Sequence, residues 1–348
     1  MPGGLVRAIA PAALSFIMEG EGSDAMASVK TSKVNPKYKR KYRVRNWAAY
    51  ERGLRDRGDV TVWLSQEAIE AWTPPPTGRR GGQPRYSSLA IITALTLRVV
   101  FRLPLRQTEG FLASLLRLME LDLDAPDHTT LSRRNQAVEV PAFRRDHAGP
   151  IHLIVDSTGL KIFGAGEWNS RKHRKAKDRR GWRKLHIGVD GDGFIVAEAL
   201  TENTKDDAAV LPNLLGQIEG QIRRFTGDGA YDRKSVYDQI GRAGIEDVAV
   251  VVPPRRPAAL TTNASGTWAQ RNRHLERIAE VGRQAWQKEV RYRQQARVEG
   301  TFRRYKRTLG DHLRARGFDA QKREAAIGCA VLNRMLKLGR PESYAIAA

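Results

Sequence analysis

Beyond Gly149 the chain drops the helical hydrophobic period and alternates short β-forming runs with helical ones, which restricts its fold more than any other feature. Ile151-His-Leu-Ile-Val-Asp156 reads as a short, nearly all-apolar strand closed by a carboxylate. Leu185–Asp190 and Phe194–Leu200 flank the turn Asp190-Gly-Asp-Gly193, which predicts an antiparallel hairpin. A helical pattern over Asp206–Ile218 leads to a short strand, Arg224–Asp228. A second helix over Arg233–Ala243 precedes the valine-rich run Asp247–Val252. After a loop rich in Pro, Thr, Asn and Gly, a proline-free stretch predicts one long helix from about Arg271 to Leu309, then a last apolar helix over Gln321–Leu338.

Three strands, then helix, strand, helix, strand, helix is the element order of a ribonuclease H-like α/β core, a mixed five-stranded sheet with flanking helices. In that order the first and fourth strands lie side by side, so carboxylates at their ends meet. Asp156 and Asp228 occupy those ends, and Glu299 lies in the helix that crosses nearby. The spacings are 72 and 71 residues, too long for local structure to explain. An Asp at a strand end is usually a turn former or cap, the reading given to Asp190, Asp192, Asp206, Asp207 and Asp232. Asp156 differs by following an apolar run and preceding Ser-Thr-Gly. Asp228 differs by lying in Thr-Gly-Asp-Gly-Ala-Tyr-Asp, where glycines permit close backbone approach.

Three carboxylates drawn from distant segments suit phosphodiester chemistry with two divalent ions, one activating the attacking hydroxyl and one stabilising the leaving oxygen. Hard Mg2+ prefers oxygen ligands and keeps several waters, and Mn2+ is expected to substitute. Asp156 is assigned to bridge the two ions, with Asp228 and Glu299 each completing one shell.

Upstream, Leu89–Arg102, a run through Phe111, Leu112, Leu115, Leu116 and Met119, and a third helix from Pro126-Asp127-His128 to Asn135 have helical spacing. Two packed helices, a turn and a third basic helix fit a helix-turn-helix module whose Arg133 and Arg134 reach DNA; a plain three-helix bundle has the same pattern. Thr73–Pro84, dense in Pro and Gly, reads as a linker. Lys30–Arg45 holds eight basic residues and no acid, either a solvated tail or a phosphate-tracking arm. The expected organisation is therefore a disordered or over-extended start over 1–29, an arm and linker over 30–84, a helical DNA-binding domain over 85–145, and a catalytic domain over 149–340.

The charge balance points to the partner. Lys and Arg number 60 against 38 Asp and Glu, a formal charge of +22, and the commonest polyanion is nucleic acid. Between Trp168 and His186 stand nine Lys or Arg residues against one acid, with Trp168 and Trp182 interleaved. Lys172, Trp182, Arg183 and Lys184 are the expected DNA contacts there, with a solvated loop as the alternative. A single cysteine, Cys329, excludes an internal disulfide and a cysteine-based zinc site. The apolar stretch Leu5–Met18 carries Arg7 and Pro11 and is too short to span a bilayer, so no membrane partner is expected.

From Pro84 to Leu338 the sequence resembles bacterial insertion-sequence transposases of the DDE class. The resemblance runs through Leu103-Pro-Leu-Arg-Gln-Thr-Glu-Gly110, Pro126-Asp-His-Thr-Thr-Leu-Ser-Arg-Arg134, Val155-Asp-Ser-Thr-Gly159, Trp182-Arg-Lys-Leu-His186, Thr226-Gly-Asp-Gly-Ala-Tyr-Asp232 and Arg297-Val-Glu-Gly-Thr-Phe302. In one branch of that class the third carboxylate sits in a Tyr, two residues, Arg, three residues, Glu, six residues, Lys pattern. Here the positions are Tyr292, Gln295, Glu299 and Lys306, with Gln295 departing from the Arg.

The resemblance implies binding to the inverted-repeat ends of an element, hydrolytic cutting, and attack of the freed 3′-hydroxyl on target DNA. Tyr292 and Lys306 are implied to touch DNA, Lys306 holding a phosphate, although a solvated lysine is the bland alternative. Double-stranded DNA, a homodimer in the synaptic complex and a bacterial cytoplasmic, nucleoid-associated location are expected with it. A structure-specific nuclease on the same fold and a decayed, DNA-binding repressor are the competing functions.

Overall fold

A computed structural model describes residues 42–76, 78, 80–145, 149–163 and 181–346. The expected start over 1–29, the basic arm up to Lys41 and the basic run containing Lys172 lie outside the described residues. The chain divides into two compact units, residues 1–45 with 343–348, and residues 46–342. In the first, strand Tyr42–Val44 pairs antiparallel with Ser343–Ala345.

The second unit begins with α1 (Trp47–Asp56) and α2 (Gln66–Glu70). These residues differ from the arm and linker expected there. Trp63, Leu64, Ala68 and Trp72 are buried, and that apolar stripe outweighs the surrounding charge. Helices α3 (Ser88–Val100), α4 (Leu105–Leu118) and α5 (His128–Arg134) form where the spacing predicts them. Ser87 caps α3 through the Ala90 N–H at 3.0 Å, and Asp127 caps α5 through the N–H groups of Thr129 and Thr130, each at 2.9 Å.

There follow β1 (Ile151–Ile162), β2 (Trp182–Val189), β3 (Ile195–Glu202), α6 (Asp207–Leu215), β4 (Ile222–Thr226), α7 (Lys234–Ala243), β5 (Gly244–Val251), α8 (Ala269–Val281), α9 (Arg283–Glu289), α10 (Ala296–Thr308), β6 (His312–Leu313) and α11 (Phe318–Leu338). The mixed sheet has the order β3-β2-β1-β4-β5, with β6 added on β1. Strands β1, β2 and β3 run antiparallel, whereas β1, β4 and β5 are parallel. The two-residue β6 makes the sheet six-stranded where five strands were expected; it pairs with Lys161 and Ile162.

Two expectations need correction. Strand β1 does not end at Asp156: β2 pairs with it as far as Lys161–Trp182, so Asp156 stands mid-strand. The long helix over Arg271–Leu309 is broken twice. Gly282 adopts φ 81 between α8 and α9, and Arg291 adopts φ 50 before the 3-10 turn Tyr292–Gln295. Positive φ ends a right-handed helix, and Gly282 is the residue type suited to it.

Each sheet face has its own core. On one, Ile154, Leu160, Leu185 and Ile187 pack with Leu95, Leu112, Leu131, Val298, Phe302 and Ile327 from α3, α4, α5, α10 and α11. On the other, Leu153, Val155, Phe225 and Val250 pack with Leu211, Leu214, Val236 and Ile240 from α6 and α7. Each fully buried side chain of this kind contributes about 1.5–3 kcal/mol. The helices over 85–145 thus share a core with the sheet. Among the described residues no single helix is long and apolar enough to cross a membrane.

Candidate active site

Side chains alternate across a strand, so Ile154, Asp156 and Thr158 point to the face covered by α10. The last parallel pair of β1 and β4 is Ile154–Thr226. Asp156 and Asp228 each follow it by two residues and so stand beside one another where the strands part. Asp228 opens a 3-10 turn, accepting the Ala230 N–H at 2.9 Å. That turn is held from outside: Arg255 donates Nε to the Gly229 carbonyl and Nη2 to the Ala230 carbonyl, both at 2.8 Å. Asp232, almost wholly buried, accepts Arg271 Nε at 2.7 Å and the Arg255 N–H at 2.9 Å. A Cβ on Gly227 would lie 2.9 Å from the Tyr231 ring, which explains one glycine of the motif.

Electrostatics tie the third carboxylate to this pair. Burial pushes the Asp156 carboxyl up to about 6; the Ser157 N–H opposes this, and the charges of Asp228, Asp207 and Glu299 add to it. Asp228 is raised first by burial, with the Ala230 N–H opposing and Asp207 adding. Glu299, exposed in the first turn of α10, is close enough to act on Asp156. Tyr292 is pushed up to about 12 by burial and then by the charges of Asp228, Asp156 and Glu299.

Among the described residues no three His, Cys, Asp or Glu side chains form a ready-made metal cage. The donor set nevertheless suits a divalent ion that keeps its waters, because carboxylate oxygens are hard ligands.

Helix α10 is fastened on both sides of Asp156. Past Ile154 the β1 edge loses β4, and Gln295 Nε2 donates to the orphaned Val155 carbonyl at 3.0 Å. Gln295 is only 5 % exposed and closes the gap between strand and helix, at the position where the sequence resemblance leads us to expect Arg. Lys306 Nζ donates to Thr158 Oγ1 at 2.7 Å.

Other expected contacts scatter. Trp182 and Lys184 pair with Lys161 and Gly159, which puts them on the sheet face opposite Asp156. Trp182 lies across Gly159, where a Cβ would come within 2.9 Å of its ring. Lys184 is ion-paired with Asp207 at 3.0 Å. Arg183 faces α11, donating to Gln321 Oε1 at 3.0 Å. On α5, Arg133 is exposed, whereas Arg134 folds back onto the Tyr86 carbonyl at 3.1 Å.

Asp207 is a neighbour that sequence reasoning missed. Burial opposes its charge, but hydrogen bonds from His186, Ser157 and Lys184 outweigh that and hold its carboxyl well below the usual range. The signal was present in the doublet: Asp206 alone caps α6 through the Ala209 N–H at 3.2 Å, which leaves Asp207 without that role.

Comparison with known proteins identifies the family. The family described as Transposase DDE domain matches residues 147–334, and a second family of the same description matches 55–165. An uncharacterized protein of Aquifex aeolicus strain VF5 is 26 % identical over 257 residues, covering 65 % of this chain and 75 % of its own. A cryo-EM structure of the piggyBac transposase synaptic complex with hairpin DNA is similar with TM-score 0.35 and 11 % identity, over 79 % of this chain and 73 % of that one. Since the first of these matches spans more than half of the sequence, the chain belongs to the DDE transposases.

Proposed function

We propose that this transposase binds the terminal inverted repeats of an insertion sequence, cuts there by metal-dependent hydrolysis and joins the 3′-hydroxyl to target DNA. The observation that carries this reading is the register that sets Asp156 beside Asp228 at the parting of β1 and β4, with the charge of Glu299 acting on Asp156. The sheet order, with the first and fourth strands adjacent and parallel, supports a ribonuclease H-like core over 149–340.

The family in general acts with divalent metal ions. Asp156, Asp228 and Glu299 would hold them, with Mg2+ preferred and Mn2+ substituting. Bound there, such ions supply activation of the attacking hydroxyl and stabilisation of the leaving oxygen. The protein's own residues do the positioning. Gln295 and Lys306 fasten α10 across β1, and Arg255 with Asp232 holds the Asp228 turn. Tyr292 and Lys306 are the DNA contacts we place nearest the carboxylates. The exposed Arg133 is our candidate for DNA contact from the helices over 85–145, with synapsis of two ends by a homodimer in the bacterial cytoplasm.

The test is a Mg2+-dependent cleavage and strand-transfer assay on DNA carrying the element's inverted repeats, comparing the native protein with Glu299→Gln. Joining that disappears in the variant supports the reading. Cutting without joining indicates a nuclease, and binding without metal-dependent chemistry indicates a repressor.

A further inference from the structure

The sheet face that carries the carboxylates also carries Arg224, one of four neighbouring arginines that the site described above does not use. The register pairs His152 with Arg224 just as it pairs Ile154 with Thr226, so Arg224 stands four residues before Asp228 on that face. The pairing shifts at Arg223, between Ile222 and Arg224, a bulge that re-aims the strand. Arg224 donates to the Val290 carbonyl, which leads directly into Arg291. Arg297, on α10, donates to the Gly191 carbonyl.

The charges of these guanidinium groups act on the same neighbourhood around His152 and Arg224. Burial and then Arg291 and Arg223 lower Arg224, while burial and then Arg224, Arg297 and Arg223 pull His152 down to about 3. Among the described residues none of the four arginines is ion-paired with a carboxylate. Arg223, Arg291 and Arg297 are exposed, and Arg291 holds the left-handed φ of 50 that is uncommon outside glycine. Uncompensated like charges held together at a surface are the footprint of a polyanion.

We propose that Arg223, Arg224, Arg291 and Arg297 form a second anion site that grips the phosphate backbone of DNA running past the carboxylates. It rests on the transposase reading given above. Four strand residues span about 13 Å, or about four base-pair steps along a duplex. Because these groups meet phosphates, their contribution is independent of base sequence.

The test is binding of the full-length chain to a fluorescein-labelled mixed-sequence DNA duplex, followed by anisotropy over a range of KCl. Arg223→Gln with Arg291→Asn removes two charges, and Asn tolerates the positive φ. The slope of log K against log salt is expected to become shallower by about 1.8, about 0.9 for each lost contact. Arg223→Lys with Arg291→Lys keeps the charge and should keep the slope. Arg297→Gln alone should reduce it by about 0.9 and serves if the double variant misfolds. A steep wild-type slope left unchanged by these neutral variants overturns the arginine site alone. A wild-type chain with no salt-dependent binding overturns both this site and the DNA-binding reading beneath it.

Discussion

Asp156 and Asp228, 72 residues apart in the chain, each stand two residues past Ile154 and Thr226, the last parallel pair of their strands. Two half-buried carboxylates are thus held side by side by register; burial raises both, and the charge of Asp228 adds to Asp156 while that of Asp207 adds to Asp228. Replacing either with asparagine preserves size while removing the charge. Cleavage of end DNA is expected to fall by about 10³-fold or more, several kcal/mol of transition-state stabilisation. DNA affinity, set by phosphate contacts elsewhere, should be largely retained. Cleavage rates measured beside equilibrium binding decide this, and parallel loss of both would contradict it.

Gln295 satisfies a backbone carbonyl that the sheet abandons. Gln295→Leu leaves the Val155 carbonyl buried without a donor and should cost about 1–3 kcal/mol of stability. Chemical denaturation reads this directly; a change within about 0.5 kcal/mol would mean that the bond carries no weight.

Glu198, on β3, has a buried Oε2 with no hydrogen-bond partner, and burial pushes its carboxyl up to about 7 against the opposing charge of Arg323. The folded protein keeps this proton as pH rises past 4.5, where the unfolded chain releases it. The folded state therefore binds more protons between about pH 4.5 and 7, and stability falls across that window by at most about 1.4 kcal/mol per pH unit. Above it the loss is complete. Glu198→Gln should remove this slope, and identical pH profiles for the two proteins would refute the assignment.

Asp232 and Arg271 form a nearly dry ion pair at 2.7 Å, with the guanidinium stacked over Trp268 at 4.9 Å. Arg271→Met alone strands a buried carboxylate and should cost about 3–5 kcal/mol. Adding Asp232→Leu should recover much of that loss. A double-mutant cycle by thermal unfolding tests the coupling, and strict additivity would show that the pair does not act as a unit.

Most single elements are legible in the sequence. The apolar spacing of Phe111, Leu112, Leu115 and Leu116, the cap at Asp127 and the turn at Asp190–Gly193 rest on interactions within a few residues, and each appears as expected. What failed did so where local signals compete with contacts far away. A proline-free run predicts one helix, but Gly282 and Arg291 break it. The basic run and the Pro- and Gly-rich stretch predict an arm and linker over residues 30–84, but two tryptophans find a core within them. Trp182 and Lys184 lie in the densest basic segment after the arm, yet one residue of strand parity turns them away from Asp156.

The sequence by itself determined the periods, caps, turns and charge, because these depend on neighbours one to four residues away. Only the tertiary structure decided that β1 and β4 pair in the register that sets Asp156 beside Asp228. It also decided that Gln295 reaches Val155, 140 residues distant, and that Arg224 stands on the sheet face of the carboxylates. Those relations join segments tens to more than a hundred residues apart, and strand register and helix packing create them; no local pattern encodes either.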